Sequence, residues 1–318
     1  MFFLDKSLSW MSPFWVPLGR LKIACIGGAH IDRHGLLKSP LVPATSNPGN
    51  VTTSFGGVAR NVAENLARLG RKVSMVSRVG DDEAGRAVVA HLQSLGVDTS
   101  MIAVASSPTA SYTAILEPDG ELLLGLADMD LYDEITPAVL DSGHLREHGL
   151  WFADTNLPAQ TLSWLVEQGM VAVDAISLPK ARKLRGLLPR IEILFGTVAQ
   201  ASEITQLGAF LNATEAARAL HRLGARAGVV TAGAAGIAVW TGGDVRQLPV
   251  LPAEPKDVTG AGDALIAGTL FGLTGGRTLV EAAPLGLAAA AITVESGATV
   301  ADNLTAEALY ARLAENCR

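Results

Sequence analysis

Near the C-terminus, Asp257-Val258-Thr259-Gly260-Ala261-Gly262-Asp263 sets two carboxylates around small residues, directly before an apolar run, Ala264–Leu273. Small residues let the backbone turn tightly and aim several N–H groups one way at a helix N-terminus. That arrangement receives anions, aided by the helix dipole. A carboxylate beside it is not needed to bind the anion. Asp263 is better placed to take a proton from a hydroxyl attacking a phosphoryl group. Taken alone, Asp263 can equally be a helix cap.

A second segment, Gly56-Gly57-Val58-Ala59-Arg60-Asn61, opens a helix that runs to Leu69. Its double glycine lets a ligand approach the backbone, and Asn61 can both donate to and accept from hydroxyls. Alone it reads as a plain turn before a helix. Other polar groups carry less. His144 and His148 stand at i, i+4, a spacing compatible with metal ligation, but no third ligand is near and a solvated pair is expected. Arg182, Lys183 and Arg185 read as a solvated helix face. Asp81 or Asp82 can cap a helix from about Glu83 to Leu95.

Elements that position these residues follow from the apolar pattern. Short apolar runs near Leu21–Ile26, Val73–Ser77, Leu150–Ala153, Val171–Asp174, Ile191–Leu194 and Val229–Thr231 alternate with segments of helical period. Helices are expected over Ala264–Leu273, Leu279–Val294 and Thr305–Ala314. Such alternation implies a mostly parallel sheet covered by helices on both faces, with ligands at the carboxyl ends of its strands. Two regions break the rhythm: 31–56, with a strand at Val51–Phe55, and 111–125, a hairpin turning at Glu117-Pro118-Asp119-Gly120. Together they can form a small added sheet.

Composition sets the limits. The 318 residues are 49% hydrophobic and 18% charged with net charge −6, against about 25% charged in ordinary chains. This excludes whole-chain disorder, and 25 Lys+Arg against 31 Asp+Glu argues against a nucleic-acid footprint. No uninterrupted apolar stretch of roughly 20 residues is present, so no membrane association is expected. Cys25 and Cys317 form no disulfide framework, and Cys25 reads as a buried strand thiol. Residues 1–20 read as a loose arm without the pattern of a secretory signal, and a cytoplasmic protein is expected.

In this order on this background, DVTGAGDALIAG and GGVARNVAENLARLG resemble the ribokinase-like (PfkB) family of sugar and nucleoside kinases, from about Leu21 to Leu313. The resemblance implies a three-layer α/β/α sandwich over 21–318 with a small β-sheet lid from about 31–56 and 111–125. It implies ATP with Mg²⁺, a small-molecule acceptor, and a homodimer formed through the lid. Asp263 would be the catalytic base, and the Gly260, Ala261 and Gly262 amides the anion hole. Asp32, Gly56, Gly57 and Asn61 would hold the sugar. Thr231, Gly233 and Gly236 would serve the nucleotide, with Leu285–Val294 flanking the adenine, and Asp257 and Thr259 would help hold a monovalent cation such as K⁺.

Within the family, Ser46-Asn47-Pro48-Gly49, Ala127-Asp128-Met129-Asp130 and Ala153-Asp154-Thr155-Asn156 are most similar to pseudouridine kinases. The implied reaction is phosphorylation of a nucleoside 5′-hydroxyl, with Asn156 offering a donor and an acceptor to a polar base. Acceptors such as ribose, adenosine, fructose or a keto sugar acid remain alternatives, as does a non-catalytic nucleoside binder. Two departures bear on this. The family's Asn-x-x-Glu, which organises Mg²⁺ and phosphate, is here Thr197 and Gln200, implying weaker Mg²⁺ affinity. The usual first-strand Asn is His30, which can contact substrate or simply pack.

Overall fold

The computed structural model describes residues 21–140 and 144–316; the expected N-terminal arm and Cys317 lie outside them. In chain order the elements are β1 (Ile23–Ile26), β2 (His30–Leu37), β3 (Gly49–Gly56), α1 (Val58–Arg68), β4 (Val73–Gly80), α2 (Glu83–Ser94) and β5 (Asp98–Ala105). Next come β6 (Ser111–Leu116), β7 (Leu122–Asp128), α3 (Pro137–Leu140), β8 (Leu150–Asp154), α4 (Ala159–Gln168), β9 (Val171–Asp174), α5 (Leu178–Ala181) and β10 (Ile193–Thr197). The chain then forms α6 (Val198–Thr205), α7 (Ala213–Arg222), β11 (Ala227–Thr231), β12 (Ile237–Thr241), β13 (Asp244–Leu248), α8 (Ala261–Thr274), α9 (Leu279–Ser296) and α10 (Ala306–Glu315).

Nine strands make one sheet in the order β13-β12-β11-β10-β9-β8-β1-β4-β5. It is parallel except for the antiparallel edge β11-β12-β13. Alternate strand residues feed two cores, as the two-residue period of a strand requires. Ile23 and Cys25 of β1 face one core with α1, α8 and α9, while Ala24 and Ile26 face the other with α4 and α7. These are the three expected layers. Cys25 is fully buried, and burial pushes its thiol well above the ordinary range.

Four strands form the second sheet, in the order β3-β2-β6-β7. Both segments that broke the strand–helix rhythm meet in it, through parallel pairing of β2 with β6. The 31–56 segment supplies a further strand, β2, which the Val51–Phe55 pattern alone did not show. Strands β5, β12 and β13 are likewise additions. Asp82, rather than Asp81, caps α2, accepting from Gly85 N–H at 2.7 Å.

Helices α8 and α9 pack on each other in the core layer that they share with α1. Both are apolar nearly all round because both are interior. A Cβ on Gly268 of α8 would lie 2.6 Å from Leu285 O, so glycine permits the two backbones to approach. Among the described residues α9 alone is long and apolar enough to cross a membrane. Its apolar window is 61% buried inside the fold, where it packs on α8 and α10.

Candidate active site

Loops leaving the carboxyl ends of β1 and β8 are tied together by one carboxylate. Asp154 is fully buried. Its Oδ2 accepts from Gly28 N–H at 2.9 Å and Ala59 N–H at 3.0 Å, and its Oδ1 accepts from Asn156 N–H at 2.9 Å. Gly57, the residue before α1, has φ 101°, and a Cβ there would fall 2.2 Å from Gly28 O. Only glycine lets α1 begin this close to the β1 loop.

Asp32 stands on β2 beside Gly56 at the end of β3; a Cβ on Gly56 would lie 2.3 Å from an Asp32 carboxylate oxygen. His30 is buried behind it. Ala29 N–H donates to Tyr132 Oη at 2.9 Å, so the Tyr132 hydroxyl can donate to His30 Nδ1 at 3.0 Å. His30 Nε2 lies 3.2 Å from Asp32 Oδ1. The histidine is therefore a packed one, bonded through Nδ1 to Tyr132 and set beside Asp32.

Asp263 lies in the first turn of α8, half-buried. Gly260 before it has φ +79°, and a Cβ there would sit 1.9 Å from Thr299 O. Asn61 Nδ2 donates to Asp263 Oδ2 at 2.6 Å. The other end of the Asn61 amide accepts from Arg60, whose guanidinium also donates to Phe55 O at 2.5 Å and Gly56 O at 3.3 Å and pairs with Glu64. Glu64, buried in turn, accepts from Arg68 at 2.8 Å and His91 at 2.9 Å. A cation held this way fixes which end of the amide faces Asp263. Burial pushes the Asp263 carboxyl up to about 7, opposed by the Asn61 bond and Arg60 and reinforced by Asp154 and Asp32.

A cavity of about 170 Å³ brings Gly262, Asp263, Asp174, Thr197, Gln200 and Thr231 together, with Ile176 on its wall. Burial, then Asp263, pushes Asp174 up to about 8. Asp174 Oδ2 accepts from Ile176 N–H at 3.0 Å, and Ile176 takes φ 52°, a left-handed conformation that costs a β-branched residue on the order of 1–3 kcal/mol. Thr231 leads into a tight turn with Gly233 at φ 57° and Gly236 at φ 94°, closed by Ala232 N–H to Gly236 O at 2.9 Å. Thr197 and Gln200 form a reciprocal capping box at the start of α6. Gln200 Oε1 accepts from Thr197 N–H at 2.8 Å, and Thr197 Oγ1 accepts from Gln200 N–H at 3.2 Å.

Other sequence expectations are placed differently. Ala261 N–H donates to Val258 O at 3.3 Å, so that amide is committed within the loop. Asp257 and Thr259 lie on the exposed approach to α8, away from the cavity wall, with Thr259 N–H donating to Asp257 Oδ1 at 2.8 Å. His148 is buried, not solvated, and bonds Ser74 Oγ at 2.8 Å, because the segment is a single 3₁₀ turn rather than a helix. The basic cluster is not a free face either. Arg182 and Arg185 grip Glu203 at 2.8 Å, and Lys183 donates to the carbonyls of Thr155 and Leu157 at 3.0 and 2.8 Å.

Three residues of the candidate site, Arg60, Asp154 and Asp174, receive no role from the sequence. Asp154 and Asp174 carried a usable signal, since each ends an apolar strand at the edge where open α/β sheets bind ligands. Arg60 carries none; its role depends on the Asn61 amide it reaches in space.

The chain matches the pfkB family carbohydrate kinase profile over residues 20–306. It is 30% identical over 299 residues to the uncharacterized sugar kinase YeiI of Escherichia coli K12, covering 89% of this chain and 80% of that protein. It is 31% identical over 261 residues to the pseudouridine kinase of the same organism, covering 77% of this chain and 82% of the relative. Among solved structures it resembles a carbohydrate kinase from Agrobacterium tumefaciens with TM-score 0.81 and 38% identity, covering 92% of this chain and 97% of the other. A ribokinase from Thermotoga maritima shares the fold at TM-score 0.83 and 21% identity, covering 92% of this chain and 99% of the other.

Proposed function

We propose that this chain, which belongs to the pfkB family of carbohydrate kinases and is an ATP-dependent sugar or nucleoside kinase, phosphorylates the primary 5′-hydroxyl of a nucleoside, with pseudouridine the first choice. The observation that carries the reading is the Asp263 carboxylate, held by Asn61 in the first turn of α8 and facing the cavity it shares with Thr197, Gln200 and Thr231.

In this reading Asp32, Gly56, Gly57 and Asn61 hold the sugar, and Asn156 lies toward the base. Asp263 accepts the proton of the 5′-hydroxyl as its oxygen bonds the γ-phosphorus. The bond from that phosphorus to the bridging oxygen breaks, and ADP leaves. A carboxyl poised near neutral pH suits this work. The Gly260 and Gly262 amides receive the charge of the transferring group. Thr231, Gly233 and Gly236 line the nucleotide side, with Leu285–Val294 of α9 toward the adenine.

Mg²⁺ on the triphosphate neutralises phosphate charge, and Mg²⁺ takes one or two carboxylates besides phosphate oxygens. Of the cavity residues Asp174 fits that need, whereas Gln200 offers a neutral oxygen that also accepts from Thr197 N–H. At Asp257 and Thr259 the donors are one carboxylate and one hydroxyl on an exposed loop, which suits a weakly held K⁺ at most.

The second sheet would close over the acceptor as a lid. Leu124 and Leu126 on β7 are 59% and 64% exposed and Val51 on β3 is 72% exposed, so a second copy docked on the lid would cover them. Sedimentation of the wild type and Leu126→Lys tests this: a dimer that the variant splits supports it, a monomeric wild type opposes it. A chain using ATP and a free nucleoside belongs in the cytoplasm.

Other acceptors are outcomes of one experiment. Relatives include a cytidine kinase at 30% identity and a guanosine-inosine kinase at 28%. ATP consumption across pseudouridine, uridine, cytidine, guanosine, adenosine, ribose, fructose and a keto sugar acid decides. Highest kcat/KM on pseudouridine supports the reading; a higher value on ribose overturns it.

A further inference from the structure

Asn156 enters the structure with a side chain able to donate and to accept, and its oxygen already accepts one bond. Lys180, on the short helix α5, donates to Asn156 Oδ1. The amide is thereby fixed with Nδ2 turned toward the β1 loop, where a Cβ on Gly28 would lie 2.6 Å from it. Lys180 forms no ion pair among the described residues, and Asn156 is its hydrogen-bond partner there. An ammonium has three donors, so N–H groups remain unused. Burial pulls this ammonium below its ordinary range, against the pull of Asp154.

The pair is held rigidly. Lys183, one turn on, donates to Thr155 O and Leu157 O, the carbonyls on either side of Asn156. Asp154 accepts from Asn156 N–H at 2.9 Å and from Gly28 N–H at 2.9 Å. A half-buried cation and a buried amide therefore lie side by side next to the β1 loop, and the unused N–H groups of Lys180 together with Asn156 Nδ2 make the spot richer in donors than in acceptors. Hydroxyl-only ligands gain less there, because each hydroxyl also brings a proton and acceptors are fewer than donors. Carbonyl and carboxylate oxygens gain most.

We propose that Lys180 and Asn156 form the part of the acceptor site that reads carbonyl or carboxylate oxygens, at a distance from the hydroxyl that is phosphorylated. This rests on the kinase reading above and narrows its acceptor to two chemical sources: a base with carbonyls on one edge, as in a pyrimidine dione, or a sugar acid. The cytidine amino group presented to the same edge would meet donors.

Wild type, Lys180→Met and Lys180→Arg are compared on pseudouridine, uridine, a keto sugar acid, ribose and fructose at saturating ATP. For whichever carbonyl- or carboxylate-bearing acceptor the wild type uses, Lys180→Met should lower kcat/KM about 10- to 100-fold, mostly through KM. Lys180→Arg should restore part of the loss, and the KM for ATP and the rates on ribose and fructose should stay within twofold. A wild type that prefers the sugar acid, with the loss confined to it, refutes pseudouridine yet supports the donor-rich site. An equal loss on every acceptor, or none on any, overturns the role of Lys180, as does a wild type that favours ribose.

Discussion

Asn61 Nδ2 lies 2.6 Å from Asp263 Oδ2, joining the first turn of α1 to the first turn of α8 across 202 residues of sequence. Asn61 is in turn oriented by Arg60, which also holds the carbonyls of Phe55 and Gly56 where the lid strand β3 ends. The carboxylate, the helix that bears it and the end of the small sheet are thus one hydrogen-bonded unit.

The acid limb of kcat/KM should report this unit. With Asp263 pushed up to about 7, activity should rise through about pH 7 as the carboxyl ionises in the free enzyme. Asn61→Ala removes a bond that favours the charged form. The limb should then move up by about one to two pH units, the worth of a hydrogen bond to a charged group. A limb that stays in place detaches Asn61 from Asp263.

Stability should depend on pH through the same groups. The folded-state values of Asp263 and Asp174, about 7 and about 8, lie above the ordinary value of 3.8. Between those limits the folded chain binds more protons than the unfolded chain, so these carboxyls make stability fall as pH rises from about 4 to about 8. Asp174→Asn should therefore melt higher than wild type at pH 8 and lose most of that advantage at pH 4. Parallel melting curves at both pH values would contradict the assignment.

Gly260 and Gly262 should respond differently to alanine. At Gly260 the side chain meets both φ +79° and Thr299 O, so Gly260→Ala should lower the melting temperature by several degrees, on the order of 1–3 kcal/mol from backbone strain alone. At Gly262 a Cβ finds nothing within 4 Å, so Gly262→Ala should leave melting unchanged while kcat falls. Calorimetry paired with steady-state kinetics separates the two; equal melting temperatures for both variants would refute the packing argument.

Much of this was legible in sequence, and for identifiable reasons. The strand–helix alternation and the lid segments show in local periodicity, and Asp263 with its glycines shows in spacing. The β12–β13 hairpin was missed although its signal was present: Gly242 and Gly243 have φ 54° and 90°, the double left-handed turn that a Gly-Gly pair serves. Lys180 and Arg60 were illegible because a lysine and an arginine among other charges say nothing of which distant amide they orient. Gln200 reads from sequence as a weakened metal ligand, and the structure adds that its oxygen also closes a capping box, a tie that only the local fold reveals.

That last point gives a further prediction. Gln200→Glu keeps the capping geometry, since either side chain can accept from Thr197 N–H, and adds one negative charge beside the cavity. Apparent Mg²⁺ affinity should tighten by about 3- to 10-fold, through charge rather than a new ligand bond. Titrating rate against Mg²⁺ checks it, and an unchanged midpoint would show that this charge does not reach the metal.

The most direct test of the account is single-turnover phosphoryl transfer from ATP to pseudouridine by Asp263→Asn at pH 8, with pseudouridine and ATP binding measured alongside. The account predicts a rate at least about 100-fold below wild type, the scale of a lost general base, with both ligands still bound. A rate within threefold of wild type would contradict it.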